Sequence, residues 1–134
     1  MSWPRIDGLR VMEIGTPGEM RQRLNGLILE GRKKGTAGLL SDYAAEGEEI
    51  EQVGERMPLV DDDGRPVAML VITKVETHRF IDVPWSFAAS EGEGDESIEE
   101  WRDGHRRYFE GVGTPVDDDS LITCINFERD ETTA

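Results

Sequence analysis

Met57-Pro58-Leu59-Val60-Asp61-Asp62-Asp63-Gly64-Arg65-Pro66-Val67-Ala68-Met69-Leu70-Val71-Ile72 sets two apolar runs on either side of an Asp/Gly cluster. Asp and Gly tolerate the backbone of a tight reversal, so this stretch predicts an antiparallel hairpin. The second strand is expected to continue through Thr73-Lys74-Val75. From Val67 to Ile72 both alternating faces are apolar, which predicts a central strand covered on both sides and makes this run the best core candidate. Leu121-Ile-Thr-Cys124-Ile-Asn-Phe127 reads as a final strand, and Leu9 to Ile14 as a short strand or the lead-in to a helix.

Two helices flank these strands in the sequence. Thr16-Pro17-Gly18-Glu19 has the form of a capping box, and Met20, Leu24, Leu27 and Ile28 follow at helical spacing, predicting a helix near 17–30 that stops at Gly31. Ser97-Ile-Glu-Glu100 is a second box, and Ile98, Trp101, His105 and Tyr108 mark one face of a helix from Ile98 to Glu110. Lys34 to Leu40 suits a tight passage into a strand, Ser41 to Arg56 is acidic and partly helical, and Asp82 to Ala89 fits a short helix before the loop Ser90 to Asp95. Without regular βαβ alternation, the expected class is α+β: a bent, largely antiparallel sheet with flanking helices.

The chain has 134 residues, one domain's worth, with residues 1–8 and 128–134 expected to be flexible ends. Fifteen Lys and Arg against 29 Asp and Glu give a formal charge of −14, which repels duplex DNA and anionic membrane surfaces. A single cysteine, Cys124, and two histidines argue against a disulfide framework or a Cys/His zinc site. The expectation is a cytoplasmic domain with no metal and no cofactor, no targeting segment and no membrane span. Asp61 to Asp63 and Asp117 to Asp119 lack the ligand alternation of a calcium loop and read as turns.

Against this acidic background, residues 21–34 hold Arg21, Arg23, Arg32, Lys33 and Lys34 with only Glu30 opposing them. Such a patch is either a solvated helix end or a close-range contact for an anionic or polar ligand at Lys33 or Arg32. His105 reads as a buried structural histidine or a ligand contact. Trp85, Phe87, Trp101 and Tyr108 read as core packing or as platforms for a base.

Gly31-Arg32-Lys33-Lys34-Gly35-Thr36 is a Gly-x-Lys-x-x-Thr segment after a helix. Ala88-Ala-Ser-Glu91-Gly-Glu93-Gly-Asp95 and Trp101-Arg102-Asp-Gly-His105-x-x-Tyr108-Phe109 follow it in order. Together they resemble the ASCH domain family, small proteins with a PUA-like β-barrel fold, and the resemblance spans about Thr16 to Phe127. It implies a PUA-like bent sheet or pseudo-barrel and a link to RNA binding. Some bacterial members are amidohydrolases of N-acylated cytidine that use a Lys, a Thr and a Glu. Motif against motif, these correspond to Lys33, Thr36 and Glu91, with Glu93 as the second match for the acid. Where those amidohydrolases carry a further Arg after the Thr, this chain has Gly38.

A threonine hydroxyl becomes a nucleophile only when a base takes its proton, and a carboxylic acid can protonate a leaving amine. Three readings follow. One is a cleft for RNA or a nucleoside or nucleotide, with Arg32, Lys34, Glu93, Trp101, Arg102 and His105 as ligand contacts around Lys33, Thr36 and Glu91. The second is hydrolysis of an amide on such a nucleoside through Lys33, Thr36 and Glu91. The third is a protein-interaction domain. The oligomeric state is not fixed by the sequence.

Overall fold

The structure is a computed structural model and describes residues 2–130. Two-residue strands β1 (Arg5–Ile6) and β2 (Leu9–Arg10) pair with each other, and helix α1 (Glu19–Leu29) follows. Strand β3 (Gly35–Leu39) leads into α2 (Leu40–Glu46), and the hairpin is β4 (Arg56–Val60) and β5 (Pro66–Arg79). A 3-10 turn at Phe80–Asp82 precedes α3 (Trp85–Ser90), α4 (Ile98–Gly111) and β6 (Leu121–Arg129). The main sheet is antiparallel in the order β3-β6-β5-β4 and curls into a half-barrel, so the fold is α+β as expected.

The hairpin forms where the Asp/Gly cluster predicts it. Asp61 Oδ1 accepts the backbone N–H groups of Asp63 and Arg65, both at 2.9 Å, and Gly64 takes a positive φ of 76°. β5 is central, paired with β4 and β6, and runs four residues beyond Val75 to Arg79. A bulge between Ile72 and Lys74 resets its register with β6 and lets the long strand bend. Its expected cover on both sides is present only in part: Leu70 is 0% and Ile72 1% exposed, whereas Val67 is 40% exposed. The inward face packs with α1, while the outer end of the hairpin at Val67 stays open to solvent.

Burial divides into two groups. Leu24 and Ile28 of α1 pack with Met57, Leu59, Leu70, Ile72, Ile125 and Phe127 from β4, β5 and β6. Phe87 of α3 and Trp101 and Phe109 of α4 pack with Leu39, Phe80, Ile122 and Cys124. α1 and α4 thus occupy different parts of the curled sheet, with β3 and the segment before it between them.

The second capping box works largely as read. Ser97 Oγ accepts from Glu100 N at 3.2 Å, while Glu100 Oε1 reaches back to the N–H of Glu96 rather than that of Ser97. At the first helix the box is not formed. Gly18 is the residue before the helix, at φ 102°, and its N–H goes to Asp62 Oδ1 at 3.0 Å in the hairpin turn. Glu19 therefore stands at the first helical position, too early to reach back. Gly31 ends the helical turn at φ 81° as its position implied.

The lead-in Leu9 to Ile14 is a strand only at Leu9–Arg10, after which Met12 bridges Leu59 and its N–H donates to Pro58 O at 2.7 Å. Residues at the ends expected to be flexible make contacts with the rest of the domain. Arg5 meets Glu48 at 2.8 Å, Trp3 packs edge-on against Tyr43 at 5.0 Å, β6 extends to Arg129, and Asp130 N donates to Met69 O at 2.8 Å. The remaining tail residues, 131–134, lie outside the described residues.

The one-sided burial of β5 has a measurable consequence. Leu70→Ala should cost about 2–5 kcal/mol in chemical denaturation, since it opens a void in a packed interior. Val67→Ala, at an exposed position, should stay within about 0.5 kcal/mol of wild type.

Candidate functional site

Past Gly31 the chain doubles back on its own helix. Arg32 N and Lys33 N both donate to Leu27 O, at 2.9 and 3.1 Å. The next residues are stitched to two other elements: Lys34 N donates to Ser90 O at 2.7 Å and Phe127 N to Lys34 O at 3.1 Å. Asn126 Nδ2 adds bonds to Lys34 O at 3.0 Å and Ser90 Oγ at 2.8 Å. In such an extended run side chains alternate, so Arg32 and Lys34 are exposed and Lys33 between them turns inward, 2% exposed.

Buried, the Lys33 ammonium must be paired, and the loop after α3 supplies the partners. Lys33 Nζ lies 3.3 Å from Glu91 Oε1 and 2.6 Å from Glu93 Oε2. Gly92, between the two glutamates, is what allows this grip. It sits at φ 62°, and a Cβ there would land on the carbonyl oxygen of Arg32. Only glycine lets the two backbones approach so closely.

Glu91 is 3% exposed and fully partnered. Its second oxygen accepts from Trp101 Nε1 and lies 3.1 Å from His105 Nε2. Burial pushes the Glu91 carboxyl up, but the charge of Lys33 and the bonds to His105 and Trp101 outweigh it and hold Glu91 below the usual carboxylate range. His105 Nδ1 faces Trp101 O at 2.9 Å, so each ring nitrogen meets an acceptor. Both can be satisfied only when both carry protons. Burial opposes that charge, yet the bond to Glu91 and its negative charge prevail, and His105 is raised above its ordinary value. The imidazole also stacks on Trp101 with centroids 4.0 Å apart.

These groups line a cavity of about 280 Å³ between α1 and α4. Thr36 of β3, Glu93, Asp95 and Tyr108 share its wall with Lys33, and Arg23, Met20 and Leu24 face it from α1. The size suits one small organic molecule. Lys33, Thr36 and Glu91 therefore come from three separate segments to one concavity. Lys33 contacts Glu91 directly, but Thr36 makes no hydrogen bond to either among the described residues.

Other residues singled out in the sequence fall elsewhere. Arg32 is exposed beside Glu30 at 3.4 Å, Lys34 lies on the opposite side of the segment from Lys33, and neither lines this cavity. Arg102 donates to Ile81 O at 2.8 Å, bracing the 3-10 turn. Trp101 is wholly buried and acts on Glu91 rather than at the cavity wall, while His105 reaches both. Arg21, part of the basic run, is buried and donates to the carbonyls of Ile14 and Gly15 at 3.0 and 3.1 Å. Arg23, Asp95 and Tyr108 also reach the wall: the sequence places Arg23 in the basic run, Asp95 in the acidic loop and Tyr108 among the possible base platforms, but nothing local in it sets α1 opposite α4.

The paired shifts of Glu91 and His105 fix the sign of the pH dependence. Glu91, lowered in the fold, contributes stability above its usual 4.5 that is lost as pH falls through the folded value. His105, raised in the fold, contributes stability below its usual 6.5 that is lost as pH rises through the folded value. The pair should thus support the fold best between these limits. NMR titration should find His105 above 6.5 in wild type and lower in Glu91→Gln. An unchanged His105 titration in that variant would break the link.

The ASCH domain family model matches residues 10–129. The crystal structure of an ASCH domain from Lactobacillus crispatus JV V101 is similar, at 30% identity and a TM-score of 0.76, over 89% of this chain and 77% of that one. A protein of Enterococcus faecalis V583 from the family DUF984 matches at 30% identity and a TM-score of 0.78, over 90% and 75%. An ASCH protein from Zymomonas mobilis, solved as a point mutant, shares the fold at 14% identity and a TM-score of 0.51, over 80% and 63%. No curated protein matches the sequence, and among the described residues no helix is long and apolar enough to cross a membrane. With most of its length matched by the family model and by structures of the same curled architecture, the chain belongs to the ASCH domain family, a PUA-like domain of the RNA-binding type.

Proposed function

We propose that this ASCH domain takes a single nucleoside, free or at the end of an RNA strand, into the cavity between α1 and α4 and hydrolyses an amide on its base. The observation that carries this reading is the convergence of Lys33, Thr36 and Glu91 on one small concavity. The charges there also favour a neutral base over a phosphate. Lys33 is already shared by Glu91 and Glu93, and Asp95 adds a third carboxylate to the wall. Arg23 and His105 balance the remaining carboxylates, so no cation is left over for a phosphate, whereas an exocyclic amide brings both a donor and an acceptor to the wall.

In the reaction Thr36 Oγ is the nucleophile and Lys33 the base. Transfer of a Lys33 proton to Glu93 along their 2.6 Å contact frees the amine to accept the threonine proton through one water. An ammonium has three donors, and Glu91 and Glu93 take two, so the third is left for the substrate carbonyl oxygen. Glu91, held by Trp101 and His105, keeps Lys33 in place. Net charge −14 keeps long polynucleotides at a disadvantage, while a single nucleoside feels little of it.

A second reading, binding of the nucleoside without turnover, is favoured by one feature: Lys33 spends its charge on protein carboxylates and makes no hydrogen bond to Thr36. Hydrolysis of N4-acetylcytidine by purified protein separates the two. On the hydrolase reading, Thr36→Ala and Lys33→Ala each lower kcat by about a hundredfold or more and their effects do not add, because the residues act as a unit. A wild-type rate equal to that of Thr36→Ala, with saturable nucleoside binding retained, leaves only the binding reading.

A further inference from the structure

A second cavity of about 240 Å³ adjoins the first and shares two wall residues with it, Thr36 and Ala37. Its character is different. Val11, Met12, Leu39, Met57 and Ile125 give it an apolar lining, and Trp3 and Tyr43 bring two aromatic rings to its wall. Gly38 lies on its border, and a Cβ built there would meet nothing within 4 Å. The glycine therefore leaves space that a larger residue would take.

Three carboxyl groups also face this cavity: Glu13, Asp42 and Glu51. Glu51 is buried and accepts from Tyr43 Oη at 2.7 Å. Among the described residues no lysine or arginine lines the wall. An anionic group is accordingly disfavoured on entry, and an anion formed inside would be driven out.

We propose that this second cavity is the acyl subsite of the reaction, and that Gly38 opens it to bulky, uncharged, apolar or aromatic acyl groups. The inference rests on the hydrolase reading above. With the nucleoside in the first cavity and the acyl group in the second, the amide carbon falls beside Thr36, the hydroxyl-bearing one of the two residues common to both walls. Thr36 Oγ bonds to that carbon and its proton passes to Lys33. The C–N bond then breaks, and the nitrogen takes that proton from Lys33 and leaves as the free amine. The acyl group remains on Thr36 as an ester. Water attacks the ester, the acid departs and the proton returns to Thr36 Oγ, so amide and water become amine and acid. The acid ionises among Glu13, Asp42 and Glu51, which favours its release.

The test uses N4-acetyl-, N4-benzoyl- and N4-succinylcytidine with wild type and Gly38→Leu. Wild type should hydrolyse the benzoyl substrate at least as well as the acetyl one and discriminate by about tenfold or more against the anionic succinyl group. Gly38→Leu should lower kcat/KM for the benzoyl substrate by about tenfold or more and leave the acetyl substrate within a few-fold of wild type. Equal loss on both substrates, or none on either, overturns the subsite. Where wild type hydrolyses none of the three, the hydrolase reading fails, and the cavity is tested separately with benzamide. Methyl NMR shifts at Met12 and Met57 that vanish in Gly38→Leu uphold an apolar-ring site, and their absence in wild type overturns it.

Discussion

A lysine ammonium buried beside two carboxylates constrains this fold more than any other single contact. An unpaired charge at that depth is too costly to persist, so once the reversal after α1 turns Lys33 inward, the Glu91–Glu93 loop must close over it. That closure fixes Gly92 against the Arg32 backbone and sets α3 against the segment that leads into β3. Trp101 and His105 then anchor α4 to the same carboxylate. Segments distant in sequence are thereby tied to one ion pair, and the cavity is the space left between them.

The hairpin, the central strand and the α4 cap are legible in the sequence because each rests on local chemistry: Asp61 bonding its own turn, the unbroken apolar run of β5, Ser97 bonding its own helix. The start of α1 departs from its capping-box reading because Asp62, in a turn more than forty residues away, takes the Gly18 N–H and leaves Thr16 no capping role. One-sided cover of β5 is equally hidden, since an apolar side chain reads the same whether a helix lies above it or not. At the site, Lys33, Thr36 and Glu91 are legible through motif resemblance, and their convergence is a property of the curled sheet. Arg32, Lys33 and Lys34 look alike in the sequence and divide sharply in the fold, because extended backbone puts neighbours on opposite sides. Arg23, Asp95 and Tyr108 stand in patterns the sequence shows, but their meeting on one wall comes from tertiary packing.

The electrostatics of the site differ from those of a surface built to grip a nucleic-acid backbone. Its inward cation is neutralised by protein, Asp95 and Arg23 add one charge of each sign to the same wall, and the neighbouring cavity carries three further carboxyl groups. In a protein of net charge −14, the PUA-like frame associated with RNA here encloses a concavity of about 280 Å³. His105 adds a second buried cation held by the same carboxylate, so the charge balance around Glu91 follows pH from both directions.

A double-mutant cycle on Lys33→Met and Glu91→Gln, read by chemical denaturation, measures the central constraint directly. Each single change strands a buried partner and should cost about 3–5 kcal/mol. The double variant, with neither charge present, should cost less than the sum by about 2–3 kcal/mol. Additive losses, or single variants as stable as wild type, would contradict the claim that this buried pair holds the site together.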